Sequence, residues 1–129
     1  MMKKEQYEWI KYINLDKSKE LSQVGSDIWV TDAQVTIHTD STAEDLITYV
    51  FIMSNERNLV FNFEGNEFEL RVGKSFCFDA RKPHSVVPPK VGSIFKKSKA
   101  KGRFAFLAWD MPKEYGMDNF RIDLEARFS

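Results

Sequence analysis

The 129 residues carry 19 basic and 19 acidic side chains, with 43% hydrophobic and 29% charged residues, a balance that excludes an intrinsically disordered chain and a strong sequence-independent pull toward nucleic acid or anionic membrane. At 15.1 kDa the chain is long enough for one core and too short for two, so a single domain spanning 1–129 is expected. One cysteine, Cys77, excludes an intramolecular disulfide, and no apolar run reaches bilayer length, so a cytoplasmic protein without membrane contact is expected.

Between Lys3 and Val24 the apolar residues Tyr7, Trp9, Ile10, Ile13, Leu15, Leu21 and Val24 recur at helical intervals, and Asp16 and Ser18 offer a break or a fresh N-cap between two short helices. Residues 1–26 therefore read as a helical lid against a sheet. Gly25-Ser26-Asp27 ends that pattern, and short β-branched and aromatic runs follow, read as strands at 28–31, 34–39, 46–54, 59–63, 67–72, 75–79, 85–87 and 103–109. Glu64-Gly65-Asn66 and Gly73-Lys74 are turns, because Gly and Asn tolerate the positive φ that tight turns require. Short strands, tight turns and one helical segment predict a mainly β fold, a jelly-roll or cupin-like barrel with one or two N-terminal helices. Its core is expected over 27–110. The stretch 94–102, with Lys96, Lys97, Lys99 and Lys101, reads as a long exposed loop: its charges keep an edge soluble, or they grip a nucleic-acid backbone or an acidic protein. Met111-Pro112 is expected to end the last core strand, and residues 111–129 form an extension in which 120–128 is a strand or a short helix.

His38 and His84 are the two histidines of the chain. In a strand, alternate residues share a face, so Thr36, His38 and Asp40 are expected on one side and Val35, Ile37 and Thr39 on the other. That presents an imidazole and a carboxylate together at a strand end. His84, between Pro83 and the apolar Ser85-Val86-Val87, has the position to supply a third ligand. Two histidines and one carboxylate on one face of an ion leave the opposite face open, as non-haem Fe(II) oxygenases use it. An isolated histidine is more simply a half-buried, hydrogen-bonded side chain; the joint pattern favours the ligand reading.

The run His38-Thr39-Asp40, Thr48-Tyr49-Val50-Phe51-Ile52, Gly73 to Asp79, Pro83-His84-Ser85-Val86 and Gly102 to Trp109 resembles the core of the Fe(II)- and 2-oxoglutarate-dependent dioxygenases, especially prolyl-hydroxylase-like members. The resemblance covers 34–110 and implies a double-stranded β-helix. It implies His38, Asp40 and His84 as Fe(II) ligands, and 2-oxoglutarate as a small-molecule co-substrate whose distal carboxylate meets Arg103, with Tyr49 beside it. A planar guanidinium suits that bidentate task; Lys99 or Lys101 takes its place in another register. Arg103 also reads as a surface strand residue, and Tyr49 as a core aromatic. Phe61, Phe63, Phe76 and Phe78 are candidates for the apolar wall, read first as plain barrel core. Only 37 residues precede His38, which implies a minimal member. The implied activity is hydroxylation of a substrate that is a protein, a nucleic acid or a small molecule. The alternatives are a cupin-like metal-binding barrel acting as an isomerase or small-molecule binder, and a non-catalytic jelly-roll interaction protein.

Overall fold

Strands such as 46–54 and 103–109 are apolar on both faces, and such a strand has to be covered twice. The computed structural model, which describes residues 3–15 and 21–129, covers them with three layers. The strands are β1 (Ser22–Val24), β2 (Ile28–Thr31), β3 (Val35–His38), β4 (Leu46–Asn55), β5 (Val60–Phe63), β6 (Asn66–Glu69), β7 (Ser75–Phe78), β8 (His84–Val87) and β9 (Phe104–Pro112). One sheet runs β1-β2-β9-β4-β7 and the other β3-β8-β5-β6, and every neighbouring pair is antiparallel. From β2 onward this is the strand order of a jelly roll, two four-stranded sheets wound from a folded-over ribbon, with β1 added at one edge.

The outer face of the larger sheet packs Tyr49, Phe51, Ala105 and Leu107 against Tyr7 and Ile10 and against Phe120 and Leu124. Tyr7 and Ile10 lie on a 3-10 helix, Lys4–Tyr12, where residues three apart stack on one face. Phe120 and Leu124, one turn apart, lie on α1 (Gly116–Phe128). The two helices are tied together where Gln6 Nε2 donates to the carbonyl of Phe128 at 2.5 Å. Residues 120–128 are thus helical and seal the core. The space between the two sheets is filled by Val50, Ile52, Leu59, Phe61, Leu70, Val86 and Phe104.

Two expectations are revised, and a third lies outside the described residues. Residues 22–24 do not continue a helix: Gly25 turns the chain at φ 70, and Val24 pairs back onto Ile28. Only three residues carry the pattern there, too few to separate a period of 2 from one of 3.6. The expected break at Asp16 and Ser18 lies outside the described residues. β9 runs on through Met111-Pro112, pairing Pro112 with Leu46, because a proline at a strand end need not donate to the ladder; a 3-10 turn, Lys113–Tyr115, then leads into α1.

The turn chemistry holds. Glu64 and Gly65 have φ 51 and φ 80 between the paired Phe63 and Asn66, the two positive φ values of a type I′ hairpin. The lysine-rich stretch forms no strand or helix and is clipped to the barrel by reciprocal bonds, Lys99 N to Arg57 O at 2.8 Å and Arg57 Nε to Lys99 O at 3.1 Å. No helix among the described residues is long and apolar enough to cross a membrane.

Candidate metal centre

β3 is not a regular strand. Val35 pairs with Val86 and His38 with His84, and the register shifts between them, the mark of a β-bulge. The expected alternation therefore breaks. Val35 is buried among the inter-sheet residues, Thr36 and Ile37 turn to solvent, and His38 reaches the same cavity as Val35. One extra residue re-aims the imidazole, as bulges at barrel rims do.

The pairing of His38 with His84 sets the two rings 4.3 Å apart, centroid to centroid. Each ring is oriented by a carbonyl two residues before it: His38 Nδ1 lies 2.7 Å from Thr36 O and His84 Nδ1 2.8 Å from Lys82 O. A carbonyl oxygen only accepts, so both Nδ1 atoms carry the proton and both Nε2 atoms present lone pairs in the neutral rings. These two nitrogens converge on one carboxylate, with His38 Nε2 3.4 Å from Asp40 Oδ1 and His84 Nε2 3.3 Å from Asp40 Oδ2. The three donors all lie within 4.8 Å of one another. Donors held at ~2.1 Å from one ion stand ~3.0 to 3.4 Å apart for octahedral or tetrahedral angles, a range that the two histidine-to-carboxylate distances meet. Nitrogen and oxygen donors without a thiolate favour a first-row transition metal over calcium or magnesium.

Asp40 is fixed through its backbone, whose N–H donates to Ala80 O at 2.9 Å. The turn containing Ala80 is itself clamped: the Arg81 guanidinium donates to both oxygens of Asp79, each at 3.0 Å, and these bonds hold the Asp79 carboxyl below its usual range. The same turn leads through Pro83 into His84, so one short loop positions two of the three side chains. His84 is buried against Phe78, with ring centroids 4.8 Å apart, whereas the carboxylate of Asp40 is about half exposed. The cluster stands at the mouth of the inter-sheet space.

Behind it lies a cavity of about 300 Å³. Phe61, Phe76 and Phe78 line it as candidate wall residues, joined by Trp29, Phe104 and Phe106; Phe63 packs on the same cluster without lining the cavity. Among the described residues no lysine or arginine lines it.

Arg103 and Tyr49 do not reach this cavity. The Arg103 guanidinium donates to the carbonyl of Ile10 and pairs with Asp32 at 3.3 Å. Tyr49 is buried on the outer face of the larger sheet, where its hydroxyl bonds Pro112 O and Lys113 O at 3.3 and 3.2 Å. Strand parity is the reason. The inward positions of β9 are Phe104, Phe106, Ala108 and Asp110, and those of β4 are Thr48, Val50 and Ile52; Arg103 and Tyr49 are one residue out of phase. The same parity exposes two residues that the sequence reading passed over, Thr48 and Asp110, whose signal is the regular inward series on each strand.

No family model matches the sequence, and no curated protein is similar to it. Solved structures similar to this chain include a cupin protein from Bacteroides fragilis, 10% identical with a TM-score of 0.40, covering 68% of each chain. A second is an RmlC-like cupin protein from Desulfovibrio desulfuricans, 10% identical with a TM-score of 0.41, covering 74% of this chain and 87% of that one. A third is the plu4264 protein from Photorhabdus luminescens, 13% identical with a TM-score of 0.43, covering 88% of this chain and 96% of that one.

Proposed function

We propose that this jelly roll is a mononuclear metal protein, with His38, Asp40 and His84 holding one divalent transition ion, Fe(II) first among the candidates, over an apolar substrate cavity. The observation that carries the reading is the pair of Nδ1-to-carbonyl bonds at His38 and His84, which aim both Nε2 atoms at the Asp40 carboxylate. Metal-ligating histidines are oriented through their second nitrogen in this manner. A three-residue facial set supplies an ion with open positions for substrate or dioxygen, the requirement for oxygenase chemistry. The chain's own part is to hold the two rings rigid, to present one carboxylate from a backbone-tethered turn, and to keep water away from a cavity walled by Phe61, Phe76, Phe78 and Phe106.

A second reading, that the co-substrate is 2-oxoglutarate, is favoured by the order of the side chains along the barrel: His38 ends β3, Asp40 follows it, and His84 opens β8. That is the order the resemblance implies. With Arg103 engaged by Ile10 and Asp32, no described cation stands ready for the distal carboxylate. This weighs toward a cupin-like metal centre that works without 2-oxoglutarate.

Anaerobic titration with Fe(II), and with Co(II) as a spectroscopic stand-in, tests the first reading. One equivalent is expected to bind per chain with the absorption of nitrogen and oxygen ligation, and to be lost in Asp40→Ala. Sub-stoichiometric binding, or binding that survives Asp40→Ala, refutes it. Adding 2-oxoglutarate to the Fe(II) form decides the second: a visible charge-transfer band and succinate release establish the co-substrate, and absence of both removes it.

A further inference from the structure

Beyond the three converging side chains, the described lining of the cavity carries one more ionisable group, Asp110. It ends the inward series of β9, and Thr48 stands directly across from it on β4. The Thr48 hydroxyl, on a residue only 8% exposed, donates to Asp110 Oδ1 at 2.6 Å. That bond holds Oδ1 of a carboxylate that is exposed at the cavity's rim, and no other hydrogen bond or ion pair to it is found among the described residues. Ala108, the small inward residue before it, lines the same cavity as the aromatic pair Trp29 and Phe106, which stack at 5.7 Å and 14°.

An exposed carboxylate that no described cation neutralises, at the rim of an apolar cavity with no described lysine or arginine, disfavours anions and rewards a cation. An amine gains there twice, its ammonium from a charge-assisted hydrogen bond and its hydrocarbon body from the aromatic faces deeper in. We infer that the cavity takes a small aromatic or branched-apolar amine, with its ammonium on Asp110 and its hydrocarbon body against Ala108, Phe106 and Trp29. The inference deepens the metal-site reading and rests on it only for the claim that the bound amine is the substrate; recognition by Asp110 stands apart from the metal.

Matched probes test it: 3-phenylpropylamine and 3-phenylpropanol, titrated by NMR against the full chain with and without Co(II). The amine is expected to bind about three- to fivefold tighter than the alcohol, as an ion pair with an exposed carboxylate gives. Amide shifts at Ala108 and Asp110 are expected to report it. In the near-isosteric Asp110→Asn, where Thr48 keeps its acceptor, the preference falls to within about twofold. In Thr48→Val, which frees the carboxylate to rotate, it is reduced but retained. Equal binding of amine and alcohol, a preference that survives Asp110→Asn, or no binding by either overturns the inference. Failure of Co(II) to bind while the Asp110-dependent preference persists counts against the metal centre alone.

Discussion

Arg103→Ala separates the role implied by family resemblance from the role implied by geometry. In the structure the guanidinium, with its side chain 19% exposed, joins the start of β9 to the 3-10 helix through the Ile10 carbonyl and to Asp32. A hydrogen bond from a charged donor contributes ~1.5–3 kcal/mol, and the ion pair, whose aspartate is half exposed, adds ~0–1 kcal/mol after screening. The alanine variant leaves the Ile10 carbonyl with one donor, the Ile13 N–H at 3.2 Å. The expected loss is about 2–3 kcal/mol, which for a chain of this length lowers Tm by roughly 10 °C. Circular dichroism melts and urea titration measure it. Co(II) affinity is expected to stay within about twofold, because no bond of the three converging side chains passes through Arg103. A variant that melts like the parent but loses binding of 2-oxoglutarate to its Fe(II) form would refute this reasoning and return Arg103 to the co-substrate.

The remaining predictions concern the metal centre and the packing. Asp40→Ala is expected to lower Co(II) affinity at least about 100-fold with Tm nearly unchanged, since the side chain is half exposed; His84→Ala, at a buried position, is expected to lose the same affinity and about 2 kcal/mol of stability as well. Gly102→Ala is expected to destabilise by more than ~1 kcal/mol, because Gly102 holds φ 140 and an added Cβ would meet Glu56 Cβ at 2.6 Å; an unchanged urea midpoint would count against the close approach. Phe120→Ala, removing a fully buried ring from the outer core, is expected to cost about 3–5 kcal/mol and to leave metal affinity in the residual folded fraction intact.

The jelly roll is legible in the sequence because its strands are short, β-branched and separated by turn residues whose backbone demands are specific, as at Glu64-Gly65. The gathering of His38, Asp40 and His84 is legible for a different reason: two rare side chains and a carboxylate two residues on are a pattern independent of register. What is not legible depends on register or on tertiary contact. The bulge in β3 changes which residues share a face with His38, and no residue type between Val35 and His38 announces it. Residues 22–24 become a strand because β2 offers an edge, which is a property of the sheet and not of Ser22-Gln23-Val24. Arg103 sits one residue before an inward phenylalanine, and on a strand apolar on both faces no local signal tells inward from outward.

That last ambiguity also explains how so small a chain divides its tasks. β4 and β9 are the central strands of the larger sheet, and each serves two cores at once. Their outward residues, Tyr49, Phe51, Ala105 and Leu107, pack under the helices. Their inward residues, Thr48, Val50, Phe106, Ala108 and Asp110, line the cavity. The most completely buried side chains include Tyr49, Phe120 and Leu107 on the helix-covered face and Phe104, Ile52 and Leu59 between the sheets. Because the helix-covered face has a packed core of its own, the inter-sheet face can leave a cavity open and keep a carboxylate and two imidazoles at its mouth. Substitutions along β4 and β9 should accordingly alternate in effect with a period of two, outward positions moving the unfolding midpoint and inward positions near the mouth moving ligand affinity.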